Sequence, residues 1–392
     1  MRARGRLLEC RPLVLCVMTT MLLLVILLAG QTAVTISASG FLQGPWRSRT
    51  RVYPAANDDK NVNDREGSSS NEAGHFENVS EQNLTRRSRI TYPPNIQCNQ
   101  TGSFNTGTVT LDCRRRLPRV LCIGAKKCGT GAVRFFLKTH PAVVTSTRGE
   151  VHFWDRHQAK GLAWYRRMMS VSSQYQVTME TSPAYFVADS VPLDIARELS
   201  ASTKLLLILR DPVARAVSDY THVVTRYPHL PYEDLHKFHM DRPVYPHRNI
   251  DYIINKTFEE SVLKINGEVN TDNALVFTGI YIYHLREWLK LFPLEQIFII
   301  DGEEFVRNPL PQLKAIESFL GVSSHFSQSD IYFDEIKGFY CLARPVRRCQ
   351  AESKGRTHPK VTSSVLQKLR EFYRPYNMQL EALLGRTFSW NS

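Results

Sequence analysis

Pro118-Arg-Val-Leu-Cys-Ile-Gly124-Ala-Lys126-Lys127-Cys128-Gly129-Thr130-Gly131 is a short apolar run that breaks on glycine, passes two lysines and opens into a helical pattern near Ala132. A run of that length bounded by turn residues reads as a buried strand over 119–123, with a helix following over 129–139. Glycines let successive backbone N–H groups converge on anionic oxygens. The helix N-terminus adds partial positive charge there, and a lysine adds a full one. The stretch therefore reads as a phosphate cradle, against the plainer alternative of a tight strand-to-helix connection. It is not the Gly-x4-Gly-Lys-Ser/Thr pattern, because both lysines precede Gly129 and Thr130 follows it directly, which argues against kinases and GTPases.

Working outward, short apolar runs alternate with amphipathic ones. Strands are expected at 176–179, 204–209 and 296–300, and helices at 191–199, 212–225, 280–291 and 310–320. Such alternation predicts an α/β fold with a central parallel sheet flanked by helices, whose ligands sit beyond the carboxyl ends of the strands. Lys204-Leu-Leu-Leu-Ile-Leu209 is the second buried strand, and Arg210-Asp-Pro-Val-Ala-Arg-Ala-Val-Ser218 leads from it into a helix. Arg210 and Ser218 are placed to grip a second phosphate by charge-assisted hydrogen bonds. The alternative is an Arg210–Asp211 ion pair that only caps the helix.

Upstream of residue 116 the composition changes. From about 37 to 115 the chain is rich in Asn, Ser, Glu, Asp, Arg and Gly without apolar period, which reads as a flexible stem. Arg2, Arg4, Arg6 and Arg11 precede an uncharged run over 13–30 that residues 31–36 extend to bilayer-spanning length. Arginines on the N-terminal side alone give a cytosolic tail (1–12), a signal-anchor (13–36), a lumenal stem (37–115) and a lumenal globular domain (116–392). A cleaved signal peptide is the other reading, with small residues at Ala29-Gly30 or 37–40 for the cut. Sequons at Asn78, Asn83, Asn99 and Asn255 suit the secretory pathway. Cys341 and Cys349 flank a short loop that a disulfide could close, Cys98 and Cys113 could pair similarly, and Cys122 and Cys128 read as buried free thiols. No Cys/His spacing resembles a zinc site. The formal net charge of +13 over 392 residues predicts anionic partners without choosing among nucleic acid, lipid and acidic glycan.

Between the two loops lies Arg148-Gly-Glu150-Val-His152-Phe-Trp-Asp155-Arg156. In an extended segment Glu150 and His152 fall on one side, so a carboxylate and an imidazole face one site and can relay a proton. The plainer reading is a solvated glutamate and a core histidine.

Seven blocks together carry a resemblance. They are Gly124-Ala-Lys-Lys-Cys-Gly-Thr130, Glu150-Val-His-Phe-Trp-Asp155, Lys160-Gly-Leu-Ala-Trp-Tyr165, Ser182-Pro-Ala-Tyr-Phe186, Leu209-Arg-Asp-Pro212 with Ser218-Asp-Tyr-Thr221, Gly338-Phe-Tyr-Cys-Leu342 and Lys354-Gly-Arg-Thr-His-Pro359. In this order, from about Pro118 to Trp390, the chain resembles the heparan sulfate glucosamine 3-O-sulfotransferases. The resemblance implies a P-loop-like sulfotransferase fold, 3′-phosphoadenosine 5′-phosphosulfate (PAPS) as co-substrate, no metal, and a Golgi type II enzyme acting on heparan sulfate rather than nucleic acid. It implies that Lys127 neutralises the leaving phosphate oxygen and that Cys128, Gly129 and Thr130 complete the cradle. Arg210 and Ser218 would then hold the 3′-phosphate, with Lys354, Gly355, Arg356 and Thr357 closing over the nucleotide. Glu150 would be the base, supported by His152 and Asp155. A basic acceptor surface is expected from Lys126, Arg148, Arg156 and Lys160, with Arg344, Arg347, Arg348 and Lys360 around the disulfide loop. Two positions depart from the family pattern: Gly131 stands where arginine is common, and Thr181 where lysine is common. Arg134, one turn further along the helix, is a partial substitute for the first. Sulfation of another glycan position, and a glycan-binding protein with weakened turnover, remain the alternative readings.

Overall fold

The computed structural model describes Cys98, residues 105–106 and 109–110, and residues 111–226, 256–351 and 358–391. The expected anchor and most of the stem lie outside the described residues, as do Asn78, Asn83, Asn99, Asn255, Lys354, Gly355, Arg356 and Thr357. Among the described residues no helix is long and apolar enough to cross a membrane.

The cradle stretch forms a fully buried strand, β1 (Val120–Gly124), followed by helix α1 (Thr130–Leu137). Chain order continues with β2 (Val143–Thr145), α2 (Gly161–Arg167), β3 (Val177–Thr181), α3 (Val191–Glu198), β4 (Lys204–Leu209) and α4 (Pro212–Arg226). After a gap come α5 (Tyr281–Leu289), β5 (Ile297–Asp301), α6 (Gly302–Arg307) and α7 (Pro309–Leu320). The five strands form one sheet in the order β2-β3-β1-β4-β5, every neighbouring pair parallel. Parallel strands covered on both faces need continuous apolar runs, and β1 and β4 supply them: Leu121, Cys122, Leu205, Leu206, Leu207 and Leu209 have no solvent exposure. From β1 the chain crosses to β2 on one side, and from β4 to β5 on the other. A crevice therefore opens between the carboxyl ends of β1 and β4, where such sheets bind ligands.

Helix starts follow local chemistry. Asp211 Oδ1 accepts from Val213 N at 2.8 Å ahead of Pro212, whose fixed φ suits the first turn of α4. Asp301 accepts from Glu303 N and Glu304 N to start α6. Trp288 of α5 is fully buried and donates its indole N–H to Phe186 O at 3.0 Å.

Beyond the expected alternation stand an antiparallel hairpin, β6 (Ile331–Asp334) with β7 (Phe339–Leu342), and a long last helix, α8 (Ser363–Leu384). Disulfides join Cys341 to Cys349 and Cys98 to Cys113, and Cys122 and Cys128 are free and buried. Ahead of β1, buried Leu111 and the pairing of Arg114–Arg115 with Val171–Ser172 tie the incoming chain to the fold.

Candidate active site

The loop between β1 and α1 is shaped by two left-handed residues, Lys127 (φ 72°) and Gly129 (φ 115°). Gly129 tolerates that conformation; for a lysine it costs about 1 kcal/mol and is kept only where surroundings over-determine it. The turn returns Cys128 N–H to Ala125 O, and α1 begins with Ala132 and Val133 N–H groups on Gly129 O. The first amides of α1, at Thr130 and Gly131, thus precede the helical ladder and point out of its positive end.

Charge pins this loop from behind. Lys126 Nζ lies 2.9 Å from Asp219 Oδ1, and Arg215 Nη1, fully buried, donates to Asp219 Oδ2 at 3.0 Å. Burial works to raise the Asp219 carboxyl, but Lys126 and Arg215 overcome it and hold it down to about 2. The ion pair brings the loop to the turn of α4 that carries Ser218, and turns Lys126, expected on the acceptor face, toward α4. Tyr281 ties the two strand-end loops together: its hydroxyl donates to Arg210 O at 3.0 Å and lies 3.4 Å from Cys128 Sγ. Gly302 lets the end of β5 approach both, since a Cβ there would come within 2.7 Å of Leu209 O and 3.0 Å of Cys128 O. Arg210 Nε stands 3.4 Å from Glu303 Oε1 rather than pairing with Asp211. Partial burial, then Arg210 and Lys127, hold His358 below the usual histidine range. Lys127, Arg210 and His358 thus share one positive field beside the amides of α1, an arrangement that fits a phosphate-bearing ligand.

The other half of the site follows β2. Arg134 of α1 reaches the segment that leads to Glu150, donating to Ser146 O at 3.2 Å and Arg148 O at 3.3 Å. The segment is not extended, as expected, but irregular: His152 is left-handed (φ 54°, ψ 40°) and starts a π-helical turn, Phe153–His157. The pairing of Glu150 with His152 arises by this different route. His152 Nε2 lies 3.1 Å from Glu150 Oε2 and its Nδ1 2.8 Å from Asp155 Oδ2. Burial opposes protonation of His152, but Asp155 and Glu150 outweigh it and raise its pKa. The Glu150 side chain is 48% exposed, whereas that of Asp155 is buried. Solvent-facing Glu150 therefore has a histidine and a buried carboxylate behind it, a set of groups chemically able to relay a proton.

Beneath this segment sits Glu180 at the end of β3, with no solvent exposure. Burial pushes its carboxyl up to about 7, opposed by bonds to Ser182, Val151 N and Tyr185 and by the charge of His152. Glu180, Tyr185, Tyr281 and Asp219 carry no local signal of a role in the sequence. Their partners lie as far as 153 residues away.

The cations expected on the acceptor side are scattered in their contacts. Arg148 is exposed, Arg156 Nε lies 3.2 Å from Asp155 Oδ2, and Lys160 stands over the Trp164 ring at 4.7 Å. Around the Cys341–Cys349 loop, Arg344 pairs with Asp330, Arg347 covers Tyr332 and Arg348 covers Phe135. Asp334 is grouped with Cys341 and Cys349, but both sulfurs are committed to the disulfide.

A sulfotransferase domain family matches residues 117–385. The heparan sulfate glucosamine 3-O-sulfotransferase 5 of Mus musculus is 40% identical over 284 residues, spanning 71% of this chain and 75% of its own. Its Homo sapiens counterpart is 39% identical over the same shares. Among solved structures, a sulfotransferase from Alicyclobacillus acidocaldarius aligns with a TM-score of 0.50 at 22% identity, over 70% of this chain and 99% of that one, a likeness of fold alone. The matched span holds both the cradle after β1 and the Glu150 segment after β2, and on that likeness the chain belongs to the heparan sulfate glucosamine 3-O-sulfotransferase family.

Proposed function

We propose that this chain transfers a sulfuryl group from PAPS to the 3-hydroxyl of glucosamine residues in heparan sulfate. The observation that carries the reading is the pair of half-sites at one carboxyl edge of the sheet. One is a cationic cradle at the start of α1; the other is a solvent-facing carboxylate backed by His152 and Asp155. In-line sulfuryl transfer needs those two functions on opposite faces of the reacting sulfur. Glu150 takes the proton of the acceptor hydroxyl as its oxygen attacks, and His152, held between Glu150 and Asp155, stabilises the arrangement. Lys127 meets the charge that grows on the leaving phosphate oxygen, with the amides of Cys128, Gly129 and Thr130 as a P-loop-like cradle. Arg210 and Ser218 hold the 3′-phosphate, and Lys354, Gly355, Arg356 and Thr357 close over the nucleotide. Arg148, Arg156 and Lys160 line the approach of the acidic glycan, and Lys126 acts there through its ion pair at the cradle. In the same reading residues 1–12, 13–36 and 37–115 are tail, anchor and stem, and residues 116–392 work in the Golgi lumen.

Thr181 supports a second reading. It is buried at the end of β3, where the family pattern has lysine, and its hydroxyl oxygen has no hydrogen-bond partner. With Gly131, this removes two cations from the site, which suits a heparan-binding protein of weakened turnover. The purified full-length chain incubated with sulfur-labelled PAPS and heparan sulfate, followed by disaccharide analysis, separates the readings. Label on the glucosamine 3-hydroxyl that is lost in Glu150→Gln supports the first. Label elsewhere makes it a sulfotransferase of another position. Heparin retention and donor binding without label establish the binding protein.

A further inference from the structure

Four consecutive backbone amides of the Glu150 segment are held by three neighbouring side chains, Glu180, Ser182 and Tyr185. Val151 N donates directly to Glu180 Oε1 at 3.3 Å. His152 N donates to Ser182 Oγ at 2.8 Å, and Ser182 Oγ donates to the same Oε1 at 2.5 Å. Phe153 N and Trp154 N donate to the Tyr185 hydroxyl at 2.8 and 3.3 Å, and Tyr185 stands beside Glu180, each acting on the other's ionisation. The second oxygen, Oε2, accepts from the Tyr165 hydroxyl at 3.2 Å. A left-handed residue leading into a π-turn cannot satisfy these amides through a regular ladder, and buried amides left unpaired are costly. The network stands in for the ladder.

We propose that Glu180 is a positioning residue for sulfuryl transfer, holding the backbone of residues 151–154 from beneath and so fixing where Glu150 and His152 stand. The proposal rests on the reading of Glu150 as the base. Glu180 has no solvent exposure, so it acts through the segment it anchors. Its surroundings make the hold dependent on its charge. Cys122 on β1, Tyr165 on α2, and Tyr185 after β3 face it and are neutral around pH 7, with burial raising all three. Arg134 on α1 and His152 are the cations in range, and Glu150 is the nearby anion. Ionised, Glu180 accepts from Val151, Ser182 and Tyr165 at once. Protonated, it must turn one of those donors away. The charged form also attracts protonated His152.

Two variants test this in the full-length chain. Glu180→Ala removes the acceptor; kcat is expected to fall by about 100-fold, the loss typical of a reacting group displaced by about 1 Å, with adenosine 3′,5′-bisphosphate affinity unchanged. Hydrogen exchange at residues 151–154 accelerates in the same variant. Glu180→Gln keeps the shape and one acceptor oxygen. In wild type, kcat/KM falls as pH drops through about 7; in Glu180→Gln this limb moves down by about one pH unit, because the coupled group is gone. Folded variants with wild-type exchange at 151–154 and a wild-type pH profile overturn the proposal. If Glu180→Ala does not fold, the Glu180→Gln profile and exchange decide it. Lack of transfer by wild type overturns the sulfotransferase reading instead, while exchange at 151–154 still decides whether Glu180 anchors the segment.

Discussion

The cradle after β1 and the base segment after β2 are made rigid in opposite ways. The cradle is fixed by permanent charge: Lys126, part-exposed, and buried Arg215 both pair with the buried Asp219 carboxylate, which stays ionised down to about pH 2. The base segment is fixed by a hydrogen-bond network around Glu180, whose burial leaves it poised to change charge near pH 7. A site that binds a polyanion of constant charge gains from a frame that does not titrate. A site that moves a proton can share a frame that does.

The largest effect expected separates the halves by function. Glu150→Gln should lower turnover by about 10³-fold, within the range for a lost general base, without weakening donor binding. Lys127→Ala should lower both if the lysine serves the donor phosphate as proposed, before and during transfer. Labelled transfer beside calorimetric titration with adenosine 3′,5′-bisphosphate reads the split. Equal loss of donor affinity in the two variants would break the division between halves.

Next in size is the stability of the permanent frame. Asp219→Ala strands Arg215, which is fully buried, and removing one partner of such a pair costs about 3–5 kcal/mol. Thermal unfolding of the variant should show the loss across neutral pH. Since the folded carboxyl lies below its ordinary value of 3.8, the wild-type contribution is present above that value and fades only as pH falls through about 2. An Asp219→Ala penalty, taken as the difference from wild type, that changes between pH 5 and 7 would not fit this account.

The same contrast explains what could be read from sequence. β1, α1, β4 and the start of α4 are specified locally, by apolar runs, glycines and an Asp-Pro cap, so the sheet and the turn from β1 into α1 were legible. The Glu150 segment was legible in composition and not in geometry: an extended backbone was the premise for facing Glu150 and His152 together, whereas His152 is left-handed, held by Ser182 and with Tyr185 bonding the next residue. Helix α8 carries Pro375 in its interior, which ordinarily ends a helix, and packing of Leu369, Tyr373 and Leu380 carries it through. Glu180 and Tyr281 act on residues far away in the chain, a relation that periodicity cannot record.

Glu180 gives a third, smaller effect with the opposite sign to Asp219. Its folded carboxyl is raised from 4.5 to about 7, so its ionisation costs nothing at low pH and destabilises the fold progressively as pH rises between those values. The full difference is on the order of 3 kcal/mol. Denaturant titrations at pH 5 and pH 8 should therefore show wild type losing stability over that interval and Glu180→Gln losing much less. Parallel curves would mean that Glu180 keeps one charge state throughout and that both halves of the site are permanent frames.

The smallest effect probes Tyr281, whose side chain reaches both strand-end loops, at Arg210 and at Cys128. Tyr281 is buried, with its phenol pushed well above the ordinary range, so it is a neutral donor at every working pH. Its ring meets Trp390 and Phe186, contacts that phenylalanine would keep. Tyr281→Phe therefore removes the bond to Arg210 O and the contact with Cys128 Sγ and little else, a loss of about 1 kcal/mol. Because those two loops carry Arg210 and Lys127, the loss should show as donor affinity weakened by about fivefold, the same energy expressed in binding. Exchange at residues 151–154 and the pH dependence of transfer should not move, since the Glu180 network includes no Tyr281 contact. If the variant changes the pH profile as well, the two halves are one mechanical unit, and the division between a charge-locked cradle and a titrating base segment fails.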